Sequence, residues 1–300
     1  MTYIVTIGDS VHWGQGLRRE HKLHVLIADA LRARHPGLVE HHLAHSGSVI
    51  GAGLTVTRKR VDGEVPVGSP TIIEQAAGFP GDPAEVAVVL VNGGINDVNI
   101  RNILNPRVSL PALSDLTREH CLDSMRVLLT DVVQRFPAPQ TRIVVTSYYP
   151  ILSHLSKPFG IPLLLESEGL FVPAAALNLP AAGQNPIVQR CLQFWNESTQ
   201  CLQQAVADVN AAHPPARVIF VDPGFRERNA VFADDPWLFG LKLGLLPEDE
   251  VVAPRYGSCN AAIPPLDFLA REQCYRASAG HPNVKGAAQY ATAIKQALGI

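Results

Sequence analysis

The chain has 300 residues, of which 47% are hydrophobic and 17% are charged, and its formal net charge is −2. A chain of this length and composition can bury a large core and is typical of a globular protein rather than a disordered one. The near-neutral charge without a long lysine/arginine run predicts no nucleic-acid partner. No apolar run reaches the ~18 residues of a membrane span, so we expect no transmembrane segment.

Met1 and Thr2 lead directly into a predicted strand, so no signal peptide is visible. This beginning favours a cytoplasmic protein, unless the chain is the mature form of a secreted protein with an added methionine. The sequence predicts no particular oligomeric state.

Predicted strands alternate with predicted helices along the chain. Apolar runs predict strands at 3–7, 39–44, 86–92, 142–147 and 217–222, and helical periodicity predicts helices at 16–35, 69–77, 113–136, 187–212 and 284–298. This alternation indicates a parallel sheet covered by helices on both faces. We therefore expect one α/β domain over residues 1–300, with a five-stranded parallel sheet, an apolar insertion at about 149–186 and a long irregular loop at about 223–279.

The five cysteines leave at least one thiol unpaired. Cys191 and Cys201 lie on one predicted helix about 15 Å apart, too far for a disulfide. Cys259 and Cys274 flank a proline-containing loop and could pair. The cysteine spacing fits no zinc pattern.

Polar residues follow three of the predicted strands, at the point where each strand ends. Ser10 follows the first strand, Ser46-Gly47 the second and Asn96 the third. Because the carboxyl ends of parallel strands face one crevice, we expect these groups to lie close together. Ser10 is a candidate nucleophile, and its own N–H, the Gly47 N–H and the Asn96 amide are candidate donors to an oxyanion.

A serine nucleophile needs a base to accept its proton. Among the eleven histidines, His281 has the most suitable position, in the loop just before the last predicted helix. Asn283 is a plausible N-cap of that helix.

These residues fall in four stretches: Gly8-Asp9-Ser10, Gly47, Gly94-Ile95-Asn96-Asp97 and His281-Pro282-Asn283. In this order they resemble the four conserved blocks of the SGNH (GDSL) hydrolase family. The resemblance implies a three-layer, flavodoxin-like α/β/α fold and hydrolysis of carboxyl esters. It also implies catalytic roles for Ser10, Gly47, Asn96 and His281.

The sequence departs from the family pattern at one position. The family usually has an aspartate three residues before the histidine, and here that residue is Ser278. The usual acid holds the imidazole in the right tautomer and stabilises the imidazolium. Our hypothesis is a Ser10–His281 dyad, with Nδ1–H of His281 held by a main-chain carbonyl near Ala277 or Ser278, or by the Ser278 hydroxyl.

Other residues are weaker candidates for the site. Leu164 and Phe171 lie in the apolar insertion, which could bury an acyl chain, act as a lid or simply pack on the domain surface, and Trp237 lies in a stretch that could line the pocket or simply pack. His41, His42 and His45 lack a carboxylate or thiolate at ligand spacing, so we expect no metal. No phosphate-binding motif occurs, so we expect no cofactor.

The sequence thus predicts an ester hydrolase that forms an acyl-enzyme on Ser10 and acts on a small-molecule ester with a lipophilic or short acyl chain. A carbohydrate O-acetyl esterase, a thioesterase or an acyltransferase could use the same groups. A binding domain with weakened catalysis is the alternative from a different class, because the usual aspartate is missing.

Overall fold

The computed structural model describes residues 2–53, 61, 63–170, 185–242 and 246–300. Five strands form one parallel sheet in these parts of the chain. They are β1 (Thr2–Ile7), β2 (Leu38–His42), β3 (Val86–Val91), β4 (Arg142–Thr146) and β5 (Val218–Val221). Their order, β2-β1-β3-β4-β5, is the flavodoxin-like order of a doubly wound sheet, so the predicted fold class is confirmed.

Helices lie on both faces of this sheet. The helices of the described residues are α1 (Ser10–Trp13), α2 (Leu23–Arg32), α3 (Ile72–Ala77), α4 (Ile95–Val98), α5 (Ile100–Leu104), α6 (Leu110–Arg118), α7 (Met125–Arg135), α8 (Gly160–Ser167), α9 (Pro186–Ala212), α10 (Val252–Ala262), α11 (Phe268–Tyr275) and α12 (Val284–Leu298). Of these, α10 and α11 pack against each other rather than on the sheet. A π-helical turn at Glu119–Ser124 joins α6 to α7. A short antiparallel hairpin, β6 (Leu241–Lys242) and β7 (Leu246–Pro247), stands apart from the main sheet.

The centre of the sheet is also the centre of the hydrophobic core. In β1, Ile4, Val5 and Ile7 are fully buried, and β3 is buried along most of its length. Strands buried on both faces read as continuous apolar runs, which explains why both were visible in the sequence. The strand order reverses between β1 and β3, and ligands bind at such a switch point in open α/β sheets.

The region 223–279 differs from its predicted irregular structure. It contains α10, α11 and the β6–β7 hairpin. Neither helix presents a regular apolar stripe, because α11 leaves Phe268 and Leu269 exposed while α10 buries Arg255. Helical periodicity therefore gave no signal here, and the prediction of a long irregular loop was wrong.

The two helices are joined by a disulfide between Cys259 and Cys274, the pairing that the sequence left open. Cys191 and Cys201 both lie on α9 and are not paired with each other, as their spacing on one helix predicts, and both are free thiols.

Other differences from the sequence expectations concern element ends and the apolar insertion. The helix predicted at 16–35 is shorter, because a 3₁₀ turn at Arg19–His21 precedes α2. The insertion at about 149–186 contains α8, and its later part, including Phe171, lies outside the described residues. Within the described residues, no helix combines the length and apolar character needed to cross a membrane.

Candidate active site

Ser10 lies at the carboxyl end of β1, where it is the first residue of α1 and only 5% exposed. Asp9 is the N-cap of that helix, and its carboxylate accepts a hydrogen bond from the Val11 N–H at 2.8 Å. The carboxylate also accepts from Asn92 Nδ2 at 2.7 Å and from the Tyr148 hydroxyl at 2.9 Å. Asp9 is therefore a structural group that fixes the turn presenting Ser10.

The His281 segment is held by main-chain bonds to a neighbouring extended segment. The Phe239 N–H donates to the His281 carbonyl at 2.7 Å, and the Gly280 N–H donates to the Phe239 carbonyl at 2.9 Å. Asn283 caps α12, as the sequence predicts, by accepting from the N–H groups of Lys285 and Gly286. These contacts fix the backbone on both sides of the imidazole.

The central contact of the site joins His281 to Ser10. Nε2 of His281 lies 2.7 Å from Oγ of Ser10, although 271 residues separate the two in sequence. Burial disfavours the charged imidazolium and lowers the pKa of His281 to about 4. The ring is therefore neutral at pH 7 and can accept the serine proton.

The other ring nitrogen, Nδ1, is buried and makes no hydrogen bond of regular geometry with the described residues. The main-chain carbonyls of Ala279 and Ser278 are close enough to favour a proton on the ring and to raise its pKa, against the larger effect of burial. The Ser278 hydroxyl donates to Asp249. Because Nδ1 makes no hydrogen bond with this hydroxyl, the structure does not bear out the hypothesis that Ser278 holds the ring directly, and the main-chain carbonyls are the nearby acceptors.

Gly47 occupies the loop after β2 with φ of +79°, a conformation that favours glycine. A β-carbon at this position would lie 2.7 Å from the main-chain nitrogen of Val67 and 2.9 Å from its carbonyl oxygen. Only glycine lets this loop pack so closely against the 66–67 segment. The loop lines the same cavity as Ser10 and His281.

Asn96 lies on α4, directly after β3, and its side chain points to the Gly47 loop. Its Nδ2 donates to the Ser48 carbonyl at 2.9 Å, which leaves the second N–H of the amide for another acceptor. Next to it, the Asp97 carboxylate accepts from the Ile50 N–H at 3.1 Å. These bonds fix the positions of Asn96 and Gly47 relative to each other.

All four residues predicted for the catalytic site line one cavity of about 330 Å³. Leu164, a predicted substrate contact, also lines it. Trp237 is not among its described lining residues; its ring packs edge-on against Phe225, with the centroids 5.1 Å apart. The sequence could not show that this ring turns toward the core, and the Phe171 prediction falls outside the described residues.

The sequence did not predict the polar end of this cavity. Arg101, Glu168 and Gln273 line it together with Asn99. Burial raises the pKa of Glu168 to about 6, although the nearby Arg101 charge opposes this shift. Asn99 and Arg101 belong to the start of α5, whereas Glu168 follows α8 and Gln273 lies on α11, so no local motif could have signalled their convergence.

Comparisons with known proteins show likeness at the level of fold. No family model matches the chain, and no curated protein matches it. A lipase from a goat rumen metagenome has a solved structure with a TM-score of 0.50 and 11% identity, covering 99% of this chain and 97% of its own.

Two further solved structures also cover 99% of this chain. A putative GDSL-like lipase from Parabacteroides merdae has a TM-score of 0.44 at 12% identity, with 95% of its own chain covered. An acetyl xylan esterase from Geobacillus stearothermophilus has a TM-score of 0.43 at 15% identity, with 94% covered.

Proposed function

We propose that the protein is a serine hydrolase of carboxyl esters, with an SGNH hydrolase-like fold as its scaffold. The observation that carries this proposal is the 2.7 Å contact between Nε2 of His281 and Oγ of Ser10 at the switch point of the sheet. A nucleophile and a base within hydrogen-bond reach, in a cavity large enough for a small ester, are the minimum for acyl transfer.

In the acylation step, His281 accepts the Ser10 proton at Nε2 while Oγ attacks the ester carbonyl carbon. The carbonyl π electrons move to oxygen, and the oxyanion is stabilised by the Ser10 N–H, the Gly47 N–H and the free N–H of Asn96. As the first residue of a helix, Ser10 has an N–H without an intrahelical acceptor. The tetrahedral intermediate collapses, and His281 returns the proton to the departing alkoxide.

In the deacylation step, water takes the place of the alcohol. His281 accepts a proton from the water as its oxygen attacks the acyl carbon, and the same three donors stabilise the second oxyanion. Collapse breaks the bond to Ser10 Oγ, which regains its proton from His281. The products are a carboxylic acid and the free enzyme.

The test is pre-steady-state kinetics with p-nitrophenyl butyrate. We expect a burst of p-nitrophenol equal to the enzyme concentration, which Ser10→Ala abolishes. The Asn96→Ala variant should lose on the order of 10²-fold in kcat, as for a missing oxyanion donor. A Ser10→Ala enzyme that hydrolyses the ester at the wild-type rate would contradict the mechanism. A wild-type protein that shows neither a burst nor turnover would favour a binding domain.

The cavity also supports a second substrate class within the same chemistry. Leu164 favours the lipophilic esters expected from the sequence, whereas Arg101, Glu168 and Gln273 offer hydrogen bonds to a hydroxylated alcohol, as in a carbohydrate O-acetyl ester.

Comparing p-nitrophenyl butyrate with an acetylated sugar separates the two substrate classes. Glu168→Gln should raise KM for the sugar ester and leave the butyrate ester unchanged if the polar end binds the alcohol. Equal effects on both substrates would exclude this role.

A further inference from the structure

A cluster of buried charged and polar side chains lies outside the cavity, between the segments that carry Ser10 and His281. It consists of Glu64, Asp249, Arg255 and Ser278, and we call it the buried charge cluster. The side chains of Asp249 and Arg255 are 0% exposed, and Ser278 is fully buried. None of the four is among the described residues that line the cavity, so the cluster has no direct access to a substrate there.

One end of the cluster fixes the residue three positions before His281. Nη1 of Arg255 donates to Oδ2 of Asp249 at 2.7 Å, and Nη2 lies 2.5 Å from Oδ1, so both carboxylate oxygens face the guanidinium. The Ser278 hydroxyl donates to Oδ2 of Asp249 and accepts from Nη1 of Arg255 at 3.1 Å. The Ser278 hydroxyl therefore makes a hydrogen bond with each member of the Asp249–Arg255 ion pair.

The other end of the cluster reaches the loop that follows the Ser10 helix. Oε2 of Glu64 accepts from the Gly16 N–H and from Gln15 Nε2, each at 2.7 Å, and Oε1 accepts from Trp13 Nε1 at 3.2 Å. The same carboxylate lies 3.8 Å from Nε of Arg255. Side chains of the cluster therefore connect the Ser10 helix to the His281 loop.

Direct packing brings the same two segments together. Gly16 has φ of +86°, and a β-carbon there would lie 2.8 Å from Cβ of Ser278 and 3.1 Å from Cβ of Asp249. The Glu250 N–H donates to the Gly16 carbonyl at 3.0 Å. A displacement of the 249–250 segment would therefore move both the loop after Ser10 and the residue that leads into His281.

We propose that Asp249 is a positioning residue for His281 that acts through Ser278, taking over the orienting task that the family resemblance assigns to an aspartate at position 278. This inference rests on the proposed hydrolase function. Burying two charges costs solvation free energy that apolar side chains would not cost, so the pair is explained better by the geometry it imposes than by stability.

The charges of the cluster also act on the imidazole. The Asp249 carboxylate raises the pKa of His281, while the Arg255 guanidinium lowers it, both against the larger lowering effect of burial. Removing the Asp249 charge leaves the Arg255 guanidinium near the ring with only the more distant Glu64 carboxylate, 3.8 Å from its Nε, as a counter-charge among the described residues. The imidazolium that forms in the transition state would then be less stable.

The test compares three variants with the wild type on p-nitrophenyl butyrate. Asp249→Asn should lose on the order of 10²-fold in kcat, as expected when a remote change misplaces reacting groups, with little change in KM. Ser278→Ala removes only the hydroxyl and keeps the ion pair, so it should lose less activity and keep its fold. The double variant Asp249→Asn/Ser278→Asp moves the carboxylate next to His281 and should regain activity relative to Asp249→Asn.

Asp267→Asn is the matched control, because Asp267 is an exposed N-cap of α11 that makes no contact with the cluster. It should retain wild-type kcat and KM. If Asp249→Asn fails to fold, Ser278→Ala decides: a lower kcat at constant KM supports the proposal. A folded Asp249→Asn or Ser278→Ala enzyme with wild-type kcat overturns it.

A measurement that needs no activity separates this inference from the proposed function. The His281 ring can be titrated by NMR in the wild type and in Asp249→Asn. We expect a lower pKa in the variant and a changed Nδ1 chemical shift, whether or not the protein hydrolyses esters. An unchanged pKa and shift would overturn the positioning role even in an active enzyme.

Discussion

The two nitrogens of the His281 ring have different surroundings. Nε2 faces Ser10 at 2.7 Å, while Nδ1 is buried against the carbonyls of Ala279 and Ser278. In the usual triad a carboxylate would accept from Nδ1 and raise the basicity of the ring. Here no carboxylate of the described residues is hydrogen-bonded to Nδ1, and the Asp249 carboxylate acts on the ring from a distance, through Ser278.

The first prediction concerns the pH dependence of catalysis. Because burial lowers the pKa of His281 to about 4, the ring stays neutral well below the usual pKa of a histidine. The acid limb of the kcat/KM profile, which reports the free enzyme, should therefore have its midpoint near pH 4. Rates for p-nitrophenyl butyrate between pH 3.5 and 8, corrected for any unfolding, test this, and a midpoint near 6.5 would contradict it.

The residues of the site divide into those visible in the sequence and those that are not. Ser10, Gly47 and Asn96 each follow a strand in the chain, and the topology of a parallel sheet brings strand ends together. Asp249 and Glu168 follow no strand of the main sheet, and their positions depend on how long connections fold over the site. Their roles could not be read from local pattern.

At the scale of elements, α10 and α11 stabilise the segment that leads into His281, because Arg255 of α10 donates to Ser278. Arg255 of α10 also donates to the Tyr275 carbonyl at 3.0 Å, at the end of α11. The Cys259–Cys274 disulfide joins the same two helices across 15 residues. This pair of helices therefore carries both the covalent link and the cation of the buried charge cluster.

The second prediction is that loss of this disulfide lowers stability. A closed loop of about 15 residues corresponds to about 3 kcal/mol in the chain-entropy model. Cys259→Ser/Cys274→Ser should lower the unfolding midpoint in urea and also lower kcat, because Arg255 loses its support. Reduction by dithiothreitol should have the same effect in the wild type and none in the double variant.

The double variant Cys191→Ser/Cys201→Ser tests whether any cysteine change would have this effect. Both of these thiols are unpaired, and the variant keeps the Cys259–Cys274 disulfide. Dithiothreitol should therefore still lower its urea midpoint. An unchanged urea midpoint in Cys259→Ser/Cys274→Ser would show that the covalent link contributes nothing to stability.

At the scale of the whole molecule, titratable groups are buried at the centre of the sheet. His12 is fully buried, with Nδ1 3.0 Å from the Ile7 carbonyl and Nε2 3.2 Å from Oγ1 of Thr146. It therefore connects the end of β1 to the end of β4. Burial lowers its pKa to about 4, mainly because the charged ring cannot be solvated there.

The third prediction follows from this buried histidine. A pKa lowered on folding means that the unfolded chain binds the proton first, so His12 destabilises the fold as the pH falls from about 6.5 towards 4. Asp9, whose pKa burial raises to about 6, acts in the opposite direction between about 6 and 3.8. In a comparison with His12→Gln, the contribution of Asp9 is common to both proteins and cancels.

Urea unfolding at pH 7 and pH 5 measures this difference. The wild type should lose on the order of 2 kcal/mol more stability between these two pH values than His12→Gln does. Equal losses in the two proteins would mean that His12 is not buried in its neutral form.

The central claim, that His281 activates Ser10, is tested most directly by labelling with a fluorophosphonate and mapping the adduct by mass spectrometry. The wild type should carry one adduct, on Ser10, while Ser10→Ala carries none and His281→Ala reacts at least ~10²-fold more slowly. Labelling of Ser10 at an equal rate in the wild type and in His281→Ala, or an adduct on a different residue, would contradict the account.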